Sequence, residues 1–151
     1  MAFPYGCPVG VERPTRASSA GVRKSMQSNK SRDTKPELAL RRAVHALGLR
    51  YRVSMRPLPK VRRTADLVFT KVKVAVFMDG CFWHGCPQHH TKSATNAAYW
   101  ADKVERNRER DAETDRLLRE AGWTVIRIWE HEDPIEAASR IAGTVSERRS
   151  Q

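Results

Sequence analysis

The sequence predicts an α/β domain in which a mixed β-sheet is flanked by helices. Three observations predict it. Apolar residues recur at helical spacing in three stretches, short runs rich in Val, Ile and Phe lie between them, and Gly and Pro mark the boundaries. The order helix, three strands, loop, helix, strand, helix brings non-adjacent strands together and requires helices on the sheet faces.

Residues 1–21 hold three Pro and three Gly with no sustained periodicity and read as a flexible tail, which leaves 22–151 as the folded domain. Its first part, 22–33, is polar and basic, suited to an arm that contacts a polyanion. "DTKPELALRRAVHALG" then offers Thr34 or Asp33 as a cap, Pro36 in the first turn, apolar Leu38, Leu40, Val44 and Leu47, and Gly48 as a stop. These signals predict a helix of about four turns. "YRVSM" predicts a short strand and RPLPKVRR a basic loop. "TADLVF" and "VKVAVFM", joined through Thr70 and Lys71, predict an antiparallel pair. A Cys/His loop follows. "TNAAYWADKVERNRERDAETDRLLREAGW" predicts a long helix, capped by Asn96 or Thr95 and ended by Gly122. "TVIRIW" predicts a buried strand, and "DPIEAASRIAGTV" a last helix with Pro134 at its start.

Charge is the most informative bulk property. The 151 residues carry 28 Lys and Arg against 17 Asp and Glu, a formal net charge of +11. Thirteen of those cations lie between Arg23 and Arg63, opposed there by two acids, Asp33 and Glu37. Neutralising phosphates releases condensed counterions, so this segment points to a polyanion, with Arg23, Lys24, Lys30, Arg62 and Arg63 as candidate contacts. The competing reading is a solvated surface. No apolar run is long enough to span a membrane, and the N-terminus lacks the pattern of a secretory signal. Three cysteines, an odd number, argue against a disulfide framework and for a reducing cytoplasm.

The chemistry concentrates in "DGCFWHGCPQHH" at 79–90. Cys81, Cys86 and His89, with His131 from "WEHED", make a closed set of soft ligands suited to structural zinc; on spacing alone His90 competes with His89. His84, between the cysteines, is not needed for that set and is a candidate proton acceptor. Asp66 sits inside a strand, where a carboxylate is poorly suited, and a hard cation such as magnesium would account for it. Glu37 and Asp111 lie on helices able to face the same point, although each alone reads equally as a surface charge. Phe82, Trp83 and Trp100 suit either core packing or insertion between base steps.

In order and spacing, "TADLVF", "VFMDGCFWHGCPQHH", "TNAAYWADKVERNRERD" and "GWTVIRIWEHED" resemble the very-short-patch repair (Vsr) mismatch endonucleases, from about Val22 to Pro134. The resemblance implies a restriction-endonuclease-like fold of the PD-(D/E)xK type with a structural zinc loop. It also implies magnesium-dependent nicking of double-stranded DNA 5′ of the thymine in a T·G mismatch. By position, Asp66 and the Met78 backbone carbonyl would hold magnesium, His84 would be the general base, Asp111 its support, and Glu37 the helix carboxylate that reaches the metal through water. Phe82, Trp83 and Trp100 would be the aromatic wedge, Met26 the residue inserted from the minor groove, and Cys81, Cys86, His89 and His131 the zinc ligands. A bacterial, nucleoid-associated protein is implied, working beside mismatch-repair proteins and a DNA cytosine methyltransferase; a single mismatch lacks two-fold symmetry, so a monomer is expected. The chain departs from the family's best-known member in carrying Met78 for Thr, and two Cys with two His for three Cys with one His. Two other functions fit the same residues: a nuclease of this fold acting on other mismatches or sites, and a zinc-stapled DNA-binding module without catalysis.

Overall fold

Four strands lie among the described residues, β1 (Arg52–Met55), β2 (Ala65–Phe69), β3 (Val74–Asp79) and β4 (Thr124–Trp129). They lie in the order β1-β2-β3-β4, antiparallel for the first two pairings and parallel for β3 with β4. The computed structural model describes residue 20, residues 32–89 and residues 95–151. Helices α1 (Lys35–Ala46), α2 (Ala97–Glu120) and α3 (Pro134–Arg149) complete the domain. The proposed tail 1–21, Met26, Arg23, Lys24, Lys30 and His90 lie outside the described residues.

The sheet is covered on both faces. On one, Leu40 and Val44 of α1 and Ala138, Ile141 and Val145 of α3 pack on Leu67, Val76 and Ile128. On the other, Leu118 of α2 closes over Ala65, Val68, Ala75 and Phe77. β3 is therefore sandwiched, which explains its nearly unbroken apolar run. At about 25 cal/mol per Å2 of apolar surface removed from water, such burial is the main force holding the layers together.

Local signals set the boundaries, with a few shifts. Thr34, not Asp33, is the N-cap of α1, its side chain accepting from the Glu37 N–H. The helix is 12 residues long, about three turns rather than four, and Gly48 lies beyond its end at φ 79°. The β2–β3 connection is four residues, 70–73, rather than the expected two. Val72 turns inward against the core and Lys73 takes a left-handed conformation at φ 53°, so β3 begins at Val74, opposite Phe69. Asn96 stands at the N-cap of α2. α3 runs past the expected Val145 to Arg149, and Arg148 reaches back to the carbonyls of Val72 and Gly122. Basic residues in its last turn favour that extension by facing the negative end of the helix dipole.

Candidate active site

Parallel pairing of β3 and β4 puts their C-terminal ends side by side, Asp79 beside Trp129. The Cys/His loop leaves β3 at that edge, and the segment carrying Glu130 and His131 leaves β4 there. Glu130 accepts from the Cys81 N–H at 2.8 Å, and its own N–H donates to the Asp79 carbonyl at 3.0 Å. Two tight turns follow, closed by the His84 N–H on the Gly80 carbonyl and the Cys86 N–H on the Cys81 carbonyl. From the other side α2 holds three consecutive loop carbonyls. Asn107 donates to Trp83, and Arg108 donates to His84 and Gly85.

Cys81, Cys86, His89 and His131 come together, with one ligand atom of each within 4.8 Å of the others. The Cys81 sulfur lies 3.1 Å from His131 Nδ1, and the Cys86 sulfur lies 3.7 Å from His131 Nδ1 and 4.0 Å from His89 Nδ1. A tetrahedral zinc with Zn–S of ~2.3 Å and Zn–N of ~2.0 Å has edges of roughly 3.3–3.8 Å, so this donor set fits one ion with small adjustments.

His84 turns away from that quartet. Its Nδ1 meets Asp111 Oδ2 of α2 at 2.5 Å and lies 3.9 Å from Asp79 Oδ1. Arg127 of β4 donates to both oxygens of Asp79, at 2.8 and 3.1 Å, and to Asp115 at 2.8 Å, and sits 3.6 Å from Asp111. Burial works to raise the Asp111 pKa, but the His84 hydrogen bond and the charges of Arg127, His84 and Arg63 outweigh it and hold the carboxyl below its usual range. Burial raises Asp79, with Arg127 and His84 opposing.

Asp66, the second residue of β2, accepts from the Met78 N–H at 2.7 Å. Burial pushes its pKa up to about 6; the Met78 hydrogen bond opposes, the charges of Glu37 and Asp79 add, and Arg41 opposes. The Asp79 charge adds to the rise at Asp66, while the charge of Asp111 works to raise Asp79 itself. Glu37 is buried in α1, where it takes the Asp33 N–H and the Arg41 guanidinium.

Phe82, Trp83 and Trp100 form a three-ring cluster with centroids 5.2–5.7 Å apart, all edge-to-face and all only partly buried. Lys103 lies over both tryptophans at 5.3 and 5.5 Å. Arg62 is exposed, whereas the guanidinium of Arg63 turns toward Asp111, 3.9 Å away.

Asp79, Asp115, Arg127, Asn107 and Arg108 are the site residues that sequence reading left without a role. A lone arginine in the otherwise apolar TVIRIW was the available signal, because a charge in a buried strand requires partners.

Comparison with known proteins places the chain in a family. The family model for the DNA mismatch endonuclease Vsr matches residues 18–92. The type II nicking enzyme V.NaeI of Lentzea aerocolonigenes is 46% identical over 129 residues, 84% of this chain and 78% of that protein. V.NmeDIP, a type II nicking enzyme of Neisseria meningitidis serogroup C, is 46% identical over 112 residues, 73% of this chain and 74% of its own. The DNA mismatch endonuclease Vsr of Escherichia coli K12 is 34% identical over 111 residues, 71% of this chain and 67% of its own. Likeness at this level along most of the folded domain assigns the chain to one family, and it belongs to the Vsr DNA mismatch endonucleases.

Proposed function

We propose that this endodeoxyribonuclease nicks one strand of duplex DNA on the 5′ side of the thymine in a T·G mismatch, with magnesium as its catalytic cofactor and zinc as a structural one. The observation that carries the reading is the 2.5 Å contact between His84 Nδ1 and Asp111. With the Nδ1 proton committed to that carboxylate, Nε2 is left as the acceptor, the tautomer a general base requires. His84 then takes the proton from the attacking water, and Asp111 stabilises the imidazolium that forms.

Asp66 and the Met78 carbonyl would hold magnesium, with Glu37 reaching it through water. Asp66 fits a cation because its partly buried carboxylate lies near two further acids and has its pKa pushed up to about 6. Bound there, magnesium supplies positive charge against the charge developing on the phosphate. Cys81, Cys86, His89 and His131 would hold zinc, with every position filled by protein, so its work is to pin the loop that carries His84.

Specificity would come from the rings. Phe82, Trp83 and Trp100 enter beside a wobble pair, where weakened stacking lowers the cost of separating base steps. The arm 22–33, with Arg23, Lys24, Met26 and Lys30, and the loop residues Arg62 and Arg63 would meet the duplex. The flanking sequence preference would follow a companion cytosine methyltransferase, since deaminated 5-methylcytosine is the source of the mismatch.

The test is nicking of end-labelled duplexes carrying each mismatch in several flanking sequences, with and without magnesium. Cleavage of T·G duplexes alone, with His84→Ala and Asp66→Ala binding the duplex but leaving it intact, is the expected result. Equal cutting of all mismatches removes the specificity, and full activity in either variant removes its assigned role.

A further inference from the structure

His84 has two carboxylates within reach and bonds only one of them. Asp111 Oδ2 is 2.5 Å from His84 Nδ1, and Asp79 Oδ1 is 3.9 Å from the same nitrogen. Both acids are largely shielded from water, Asp111 at 15% and Asp79 at 8% side-chain exposure. What separates them is Arg127. Its Nη1 donates to both oxygens of Asp79, at 2.8 and 3.1 Å. Its Nε and Nη2 fork onto Asp115, and Nη2 also reaches the backbone carbonyl of Asp111 at 3.4 Å.

We propose that Arg127 is a positioning residue for the nicking reaction: by occupying both oxygens of Asp79 and gripping α2 at Asp111 and Asp115, it leaves Asp111 as the one acceptor for His84 Nδ1–H. The inference deepens the reading of His84 as general base and rests on it.

The fold makes this assignment specific to arginine. Arg127 lies beside Phe77 in the parallel β3–β4 register, two residues before Asp79, and its guanidinium lies over the Phe77 ring at 4.7 Å. The ring fixes the plane of the fork, so the donors on one edge meet the strand acid and those on the other meet the helix acids. Asp111 and Asp115 are one helical turn apart on α2, both facing the same guanidinium. One side chain therefore sets the distance between the strand end from which the His84 loop departs and the helix that supplies the acceptor. A lysine in its place brings the charge without the fork and cannot hold both acids along defined directions. Without the guanidinium, the Asp79 carboxylate is released as a rival acceptor, and the imidazole divides its time between two orientations, of which one points Nε2 away from the scissile bond.

The experiment combines kinetics with NMR of 15N-histidine-labelled protein. The Nδ1 proton of His84, hydrogen-bonded to a carboxylate, should give a downfield resonance that vanishes in His84→Ala. In Arg127→Met that resonance should shift upfield or broaden, and kcat for nicking a T·G duplex should fall about tenfold to a hundredfold, a fraction of what a general base contributes. KM should stay within about twofold, because Arg127 is committed to protein carboxylates. Arg127→Lys should fall between the two. The double variant Asp79→Asn with Arg127→Met removes the charged rival and should recover most of the lost kcat. An unchanged resonance in Arg127→Met overturns the proposal. So does a double variant that is folded, by its thermal transition, yet no faster than Arg127→Met, since that marks Arg127 as a packing residue only. The resonance is read without substrate, so failure of the wild-type chain to cut T·G duplexes would count against the proposed function and not against this inference.

Discussion

Asp66 and Met78 meet across the β2–β3 pairing, the carboxylate of one accepting the backbone N–H of the other at 2.7 Å. This bond fixes the direction of an acid that burial alone would disfavour. It also ties the acid to the strand segment that leads into the His84 loop. The strand carboxylate and the His84 loop consequently share one support.

That support has a thermodynamic cost. The folded pKa of Asp66, about 6, lies above the ordinary carboxylate value, so the folded state binds the proton more tightly than the unfolded chain. This group therefore favours folding at low pH, and its contribution is lost as pH rises from about 4 to about 6. In magnesium-free protein Asp66→Asn should raise stability at pH 7.5 by on the order of 1–2 kcal/mol, with little gain at pH 4, and it should abolish nicking. Urea unfolding at the two pH values checks the sign; an Asn variant less stable at pH 7.5 refutes the account.

Gly85 should tolerate no side chain. Its φ is +63°, and a Cβ there would stand 2.6 Å from Arg108 Nη2 and 2.9 Å from a Val104 methyl. Gly85→Ala should cost about 1–3 kcal/mol by overpacking and left-handed strain. It should also slow nicking, because Arg108 holds the carbonyl of His84 itself. Denaturant midpoints and single-turnover cleavage measure the two effects, and a variant as stable and as fast as wild type removes this view of the loop.

The thiol–imidazole quartet should carry about one zinc per chain, the stoichiometry of a closed four-ligand site. Cys86→Ser or prolonged chelation should release it and lower the melting temperature by about 5 °C or more. Metal analysis paired with thermal unfolding decides the matter. Folded, active protein free of zinc would contradict it.

The three rings should act as a unit on mismatched DNA. Trp100→Ala removes one ring and loosens the edge contacts of the other two. Affinity for a T·G duplex should drop roughly 5- to 100-fold, as stacking of ~1–3 kcal/mol is lost, with a smaller loss on the matched duplex. Competition binding gives the ratio directly. If both duplexes lose affinity equally, the rings contribute no discrimination.

Much of this was readable from residue order. The helix and strand succession followed from Pro36, Gly48, Gly122 and Pro134 and from the alternation of apolar runs. Cys81, Cys86 and a histidine at 89 or 90 were legible as a ligand cluster because few other functions require those side chains in so short a span, whereas His131 and the choice of His89 rested on the family resemblance. The connection at 70–73 was not, since Val72 reads as strand by type while tertiary packing places it in a turn. Asp79 and Arg127 were visible as charges but not as partners. Forty-eight residues separate them, and only the parallel register of β3 with β4, which no local pattern encodes, brings them together.

The same register has a bearing on synthesis. Arg127 and His131 belong to the last quarter of the chain, whereas the loop they organise is translated some forty residues earlier. A nascent or prematurely terminated copy that stops short of β4 holds the imidazole and both cysteines, yet lacks the strand edge on which they are arranged. The arrangement of that loop is thereby withheld until β4 has been made.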